Sequence, residues 1–211
     1  MERDFYIAIF ELTQAQYKHL KSLPSVDQLG DTIAVGNVRW RQELRGAKFW
    51  PTYGHEVEAN SFMQLMRTHA CGIEFDLPTD AQWEYAARGG ARSRGYLFAG
   101  GNVLAEVGCH QEAVAYTEQI QTAPVASFAP NELGLYDMSG NVWEWCWDWI
   151  GRYSGEEQSN PHGPVQGQDR VARGGCYSGK ESWCRGFFRG GNVPEFKANS
   201  TFGFRLCRSV V

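Results

Sequence analysis

Residues 134–149, GLYDMSGNVWEWCWDW, contain the pattern that says most about the fold. Within Trp143–Trp149, tryptophan occupies every odd position, and Glu, Cys and Asp occupy the even ones. Side chains alternate between the two faces of a β-strand, so this segment is predicted to be a strand with one wholly aromatic face. Such a face could stack sugar rings, but beside Gly140–Val142 it is more typical of a core strand. We therefore expect the protein to fold around this strand.

Three helices are predicted on the amino-terminal side of the strand. Thr13 and Thr79 are each followed three residues later by Gln, which is the capping-box pattern of a helix start. The segment 57–70 carries apolar residues at positions i, i+3 and i+4, which would give a helix one apolar stripe. The predicted helices cover residues 14–21, 57–70 and 80–88.

The rest of the chain is predicted to form short strands and loops. Phe5–Phe10 is rich in aromatic and β-branched residues and is predicted to be a strand. Residues 151–168 are rich in Gly, Pro, Ser and Gln, which favours a loop. The sequence contains no internal repeat and no long linker. It therefore predicts one α+β domain over residues 1–211, with its two ends close together.

Composition excludes several classes of protein. A chain of 211 residues can bury a core without disulfides. Its net charge of −4 argues against nucleic-acid binding, which requires clustered Lys and Arg. No apolar run approaches the roughly 18 residues of a membrane helix. The six cysteines include no C-x-x-C pair and the five histidines have no ligand-like spacing, so a zinc site is not expected.

The segment 170–206 has the composition of a binding surface. Its ends, Arg170–Gly175 and Gly203–Leu206, form a frame, and the residues between them follow neither a helical nor a strand period. Large rings among Ser, Gly and Asn are typical of adaptable binding loops, in which aromatic residues provide contact area. The residues predicted to form the ligand-binding surface are Cys176, Tyr177, Gly179, Trp183, Phe188, Gly190, Gly191, Asn192, Phe196, Ala198, Asn199, Ser200 and Phe202.

Several segments together resemble the formylglycine-generating-enzyme, or sulfatase-modifying-factor, domain family. They are residues 77–90 (LPTDAQWEYAARGG), residues 134–145, Arg173–Gly175 and Gly203–Arg205, and they occur in the family's order across nearly the whole chain. The resemblance implies an elaborated C-type-lectin-like fold. It says less about chemistry, because one fold can host unrelated functions.

The enzymes of this family oxidise a substrate cysteine with a pair of cysteines that holds copper. The resemblance places the second cysteine of the pair at Cys184 and the first at Gly179. A soft cuprous ion is bound by thiolates, and glycine supplies no ligand. Cys176 lies three residues before the required position. We therefore expect no catalysis, with a copper-dependent oxidase that uses a shifted loop as the alternative.

A closer resemblance connects the chain to the variable proteins of diversity-generating retroelements. It rests on Asn37–Trp40, Leu44–Gly46, Trp50–Pro51, Ser61–Met63 and Phe75–Thr79. In that group the segment that corresponds to 170–206 is rewritten at Asn-type codons, which gives small, polar and aromatic residues but never Trp, Lys, Glu, Gln or Met. Most of the candidate residues fit this restriction. Lys180, Glu181, Trp183 and Lys197 do not fit it.

The resemblance implies a non-enzymatic protein that displays a variable surface to a variant-specific ligand, such as a protein or a cell-surface molecule. We expect a monomer that needs no cofactor and binds no nucleic acid. Asn141 and Glu144 carry oxygen atoms of the kind that calcium prefers, which leaves a structural calcium ion open. Alternatively, Asn141 secures a turn and Glu144 binds a buried arginine. The calcium-binding and sugar-binding triplet of lectins is missing, and Val193–Glu195 is its nearest match.

We expect the protein to be displayed outside the cytoplasm, at the cell surface, where foreign ligands are met. The first residues, Met1–Asp4, lack the basic and apolar regions of a secretion signal. The sequence therefore leaves open a cytoplasmic protein or a domain separated from its leader.

Overall fold

Two small β-sheets and four short α-helices are found in the part of the chain that the computed structural model describes, residues 1, 3–46, 57–110, 121–192 and 201–210. This mixture confirms the predicted α+β class. The strands are β1 (Phe5–Ile7), β2 (Trp143–Trp149), β3 (Arg170–Arg173), β4 (Gly190–Asn192), β5 (Phe202–Gly203) and β6 (Cys207–Ser209). The α-helices are α1 (Gln14–Lys18), α2 (Phe62–His69), α3 (Asp80–Ala87) and α4 (Leu104–Val107). A π-helical segment covers Trp40–Arg45, and 3-10 helical turns cover Gly90–Arg92 and Glu181–Cys184.

The larger sheet has the strand order β4-β3-β2-β5. Strand β3 runs antiparallel to both β2 and β4, and β5 runs parallel to β2. The smaller sheet pairs β1 with β6 in antiparallel register, with Phe5 opposite Ser209. This pairing confirms that the two ends of the chain lie close together. Among the described residues, no helix combines the length and the apolarity required to cross a membrane.

Strand β2 lies between two hydrophobic cores. The prediction that Trp143–Trp149 is a core strand is confirmed, with Trp145 fully buried. The even positions are buried as well, which simple alternation did not indicate. Trp143 and Trp145 pack in one cluster, while Cys146 packs with Trp83 of α3 in another. Both faces of the strand are therefore covered.

The helix predictions are correct in type and less accurate in length. Helix α3 begins at its predicted capping box, in which Thr79 and Gln82 exchange hydrogen bonds. Helix α1 also begins at its capping box but ends at Lys18 instead of residue 21. Helix α2 begins at Phe62 instead of residue 57, because the Ser61 hydroxyl accepts the Gln64 N–H and caps the helix there.

Buried arginines of the frame connect these elements. Arg205 is fully buried and donates from Nε and Nη2 to the Glu144 carboxylate, each at 2.6 Å. The Trp83 indole N–H donates to the same carboxylate at 2.7 Å. Glu144 therefore binds a buried arginine, which the sequence offered as the alternative to calcium.

Asn141 stabilises a turn, which the sequence also offered as the alternative to calcium binding. It has a left-handed backbone with φ 57°. Its side chain accepts the Ala123 N–H at 3.0 Å and donates to Glu11 at 3.0 Å. Both the oxygen and the nitrogen of the side-chain amide therefore form hydrogen bonds within the protein.

Candidate binding site

A sharp turn after β3 begins the candidate site. Gly174 and Gly175 have φ angles of 89° and 75°, which L side chains rarely adopt. A Cβ atom at Gly175 would lie 2.7 Å from the Cys184 Sγ atom. Glycine therefore allows the chain to reverse and to pack against the helical turn Glu181–Cys184.

Four aromatic residues pack together beside this turn, and we call them the ring cluster: Trp143, Trp183, Phe188 and Phe202. The centroid of the Trp143 ring lies 6.1 Å from each of the rings of Trp183, Phe188 and Phe202. Trp183 and Phe188 are 6.5 Å apart. Trp143 and Phe202 are buried, whereas Trp183 and Phe188 are half-buried. Trp143 thus forms a platform from which two rings reach the surface.

Glycines allow the chain to approach these rings closely. A Cβ atom at Gly190 would lie 2.8 Å from the Trp143 ring, and one at Gly179 would lie 2.9 Å from the Trp183 ring. The Gly179 position also faces the Cys176 Sγ atom at 3.2 Å. A larger residue at either position would have to displace its neighbour, so both glycines act as spacers.

Three of the residues predicted to form the ligand-binding surface are buried instead. Phe202 is buried because β5 pairs with β2, which places its ring on Trp143 and Trp145. Cys176 and Gly179 are buried beneath the turn that connects them to Trp183. These three residues support the surface but do not form it.

The remaining residues predicted to bind ligand differ in their exposure to solvent. Tyr177 is half-buried, and its backbone N–H donates to the Asn141 carbonyl at 2.8 Å. Gly191 is exposed and Asn192 is half-buried, and both lie on β4 beside β3. Phe196, Ala198, Asn199 and Ser200 lie outside the described residues. The structure therefore groups Cys176, Gly179, Trp183, Phe188, Gly190 and Phe202 around Trp143.

The thiols near the turn are held in their protonated form. Burial raises the pKa of Cys184 to about 12, and the nearby Cys176 adds to this shift. The Cys184 thiol lies 3.8 Å from the Lys180 carbonyl, to which it donates. Burial also raises the pKa of Cys176, although hydrogen bonds, first from Ser178, oppose the shift. All six cysteines of the chain are free.

Copper does not fit the two positions that the resemblance assigns to it. Copper-binding cysteines act as thiolates, so their protons must be released on binding. Gly179 supplies no sulfur, so the buried Cys184 has no thiolate partner at the assigned position. The arrangement at these two positions therefore favours packing over metal binding.

The role of Trp143 as a platform was missed by sequence reasoning, which assigned the whole tryptophan face to the core. No local signal in the sequence indicates this role, because it follows from the pairing of two strands. Trp143 directly precedes Glu144, whose partner across the sheet is Arg173 of the frame. A residue at that point of β2 must lie beside the start of the variable segment.

Comparisons with known proteins agree on the family and the fold. A family model described as the sulfatase-modifying factor enzyme 1-like domain matches residues 1–210. The formylglycine-generating enzyme of Mus musculus is 43% identical over 143 residues, which cover 61% of this chain and 38% of the enzyme. That of Thermomonospora curvata is 40% identical over 195 residues, covering 82% of this chain and 62% of the enzyme. The chain thus spans well under half the length of the mouse enzyme.

A solved structure is similar over almost the entire chain. Treponema denticola variable protein 1 superposes with a TM-score of 0.74 at 25% sequence identity. The match covers 97% of this chain and 84% of that protein. The two proteins therefore have the same overall fold.

Proposed function

The chain belongs to the sulfatase-modifying factor enzyme 1-like family, and from this premise we propose that it is a non-enzymatic ligand-binding protein. It uses the family's fold, which we regard as C-type-lectin-like, to display a diversified surface built on the segment 170–206. The ligand contacts the half-buried and exposed residues of that segment. The buried residues and the frame keep the backbone in place when the displayed residues change.

Gly179 is the observation that carries this proposal. The family resemblance places it at the position of the first paired cysteine, and a Cβ atom there would lie 2.9 Å from the Trp183 ring and 3.2 Å from the Cys176 Sγ atom. The space that a catalytic side chain would need is filled by these two neighbours. A cysteine at this position would have to push the Trp183 ring away.

The ring cluster supports a binding role. Trp183 and Phe188 are only half-buried, and Tyr177 is half-buried on the same segment. Aromatic rings combine a large contact area with few rotatable bonds, which makes them frequent anchors of binding surfaces. The likeness to a protein that is itself named a variable protein favours the same use of this fold.

An oxidation assay tests the absence of catalysis. The full chain is supplied with cuprous ion, oxygen and a peptide that contains one cysteine, and conversion of that cysteine is followed by mass spectrometry. We expect no conversion above a copper-only control. Turnover that disappears in Cys184→Ser but persists in Cys71→Ser, an exposed cysteine in another part of the chain, would overturn the proposal.

The alternative is a copper-dependent oxidase of substrate cysteine. It is favoured by the 40–43% identity to formylglycine-generating enzymes and by the closeness of Cys176 to Cys184. In this case Cys176 would replace the missing cysteine. The same assay distinguishes the two functions, because turnover would then be lost in both Cys176→Ser and Cys184→Ser.

A further inference from the structure

A large cavity lies on another part of the surface, between α3 and residues 151–164. Its volume is about 1010 Å³. None of the four residues of the ring cluster lines it. Phe187 lines the cavity, while the next residue, Phe188, packs in the ring cluster. The two neighbouring phenylalanines therefore face different sites.

Buried and half-buried charges line the floor of the cavity and are paired within the protein. Arg173 donates to Glu84 at 2.7 Å and to the Tyr153 hydroxyl at 3.3 Å. Arg189 lies 2.7 Å from the Asp80 carboxylate. The Asp148 carboxylate accepts the Asp80 N–H at 2.7 Å. The floor carboxylates are thus engaged by the protein.

Exposed aromatic rings form part of the rim. Tyr153 is 68% exposed and Phe187 is 54% exposed, although each lines the cavity. Arg189 lies over the Tyr153 ring, 4.3 Å from its centroid. Exposed rings around a cavity provide flat apolar surfaces against which a ligand ring can pack.

Arg152 supplies a cation at the same rim. It is exposed, lines the cavity, and makes no ion pair or hydrogen bond with any residue in the described part of the chain. Guanidinium groups bind carboxylates through two parallel hydrogen bonds. Glu156, which also lines the cavity, is a rim carboxylate of opposite charge.

We propose that this cavity binds a small molecule that joins a ring to a carboxylate. The ring packs against Tyr153 and Phe187, and the carboxylate pairs with Arg152. Such a ligand is either an aromatic acid or an acidic sugar. This site goes beyond the proposed function, because it lies apart from the ring cluster and is built mainly from residues outside the segment 170–206.

Isothermal titration calorimetry on the full chain tests the site with two acids, 4-hydroxyphenylacetate and galacturonate. Their uncharged counterparts are 4-hydroxyphenylacetamide and galactose. We expect one acid to bind saturably, about tenfold more tightly than its counterpart, because only the acid can pair with the Arg152 guanidinium. The acid that binds identifies the source of the ligand.

Three variants locate the binding. Arg152→Ala should weaken binding of the acid about tenfold. Glu156→Gln should strengthen binding, because it removes a negative charge that repels the carboxylate of the ligand. Arg92→Ala is the matched control, because Arg92 is exposed and does not line the cavity; it should change nothing. Circular dichroism confirms that each variant is folded. Failure of both acids to bind, equal effects of Arg152→Ala and Arg92→Ala, or weaker binding in Glu156→Gln would each overturn the proposal.

Discussion

Asp148 is a residue whose protonation bears directly on stability. Its side chain is buried at the amino-terminal end of α3, where it accepts the Asp80 N–H. Burial raises the pKa of this carboxyl from 3.8 to about 7. Between these values the folded protein keeps a proton that the unfolded chain releases. The contribution of Asp148 to the free energy of unfolding is therefore largest below about pH 4 and falls as the pH rises to about 7, by up to roughly 1.4 kcal/mol per pH unit.

Asp148→Asn should reduce this pH dependence. The asparagine carbonyl can still accept the Asp80 N–H, but it carries no proton that titrates. We expect the loss of stability between about pH 4 and pH 7 to be smaller in the variant, with urea denaturation at several pH values as the measurement. An unchanged slope would show that Asp148 is already ionised in the folded protein at pH 4.

For individual residues, the sequence predicts interaction partners more accurately than exposure to solvent. The expectation that Glu144 binds a buried arginine holds, and the partner is Arg205. The expectation that Cys176 and Phe202 are displayed fails. Exposure depends on strand pairing, since β5 joins β2 from a distant part of the chain. A local pattern carries no information about such a pairing.

Between the turn Glu181–Cys184 and strand β4, the chain presents two adjacent phenylalanines with opposite roles. Phe188 packs against Trp143 and Trp183, whereas Phe187 is 54% exposed. Phe188→Ala should lower the free energy of unfolding by about 1 kcal/mol, roughly half of what full burial of such a side chain contributes. Phe187→Ala is the matched control and should stay within about 0.5 kcal/mol. Denaturation of both variants checks this, and equal losses would contradict the assigned packing.

Among the elements, those with strong local signals were predicted well. Strand β2 has an alternating pattern, and α3 has a complete capping box, so each appears at its predicted place. The predicted start of α2 lies five residues too early, because an apolar stripe does not mark where a helix begins, whereas the Ser61 cap does. Helix α4 was not predicted; it has only four residues and no side-chain cap.

In the whole molecule, the frame and the displayed residues have separate tasks. Arg173 and Arg205 are buried and tie the sheet to α3 and to the amino-terminal strand region. Trp183, Phe188 and Tyr177 reach the surface from this support. The α+β class was predictable because its elements have local signals, whereas the ring cluster depends on contacts between distant segments.

The gene itself provides the most direct test of the central claim that the segment 170–206 is a diversified binding surface. Codons 170–206 and the flanking DNA are sequenced from many isolates. We predict a reverse transcriptase gene nearby and a near-copy of these codons that carries AAC or AAT at positions such as Tyr177, Phe188 and Asn192. Substitutions should concentrate at these positions and spare Arg173, Gly175 and Phe204. A segment that lacks such a copy, and whose substitutions fall equally on the frame and on the displayed residues, would contradict the account.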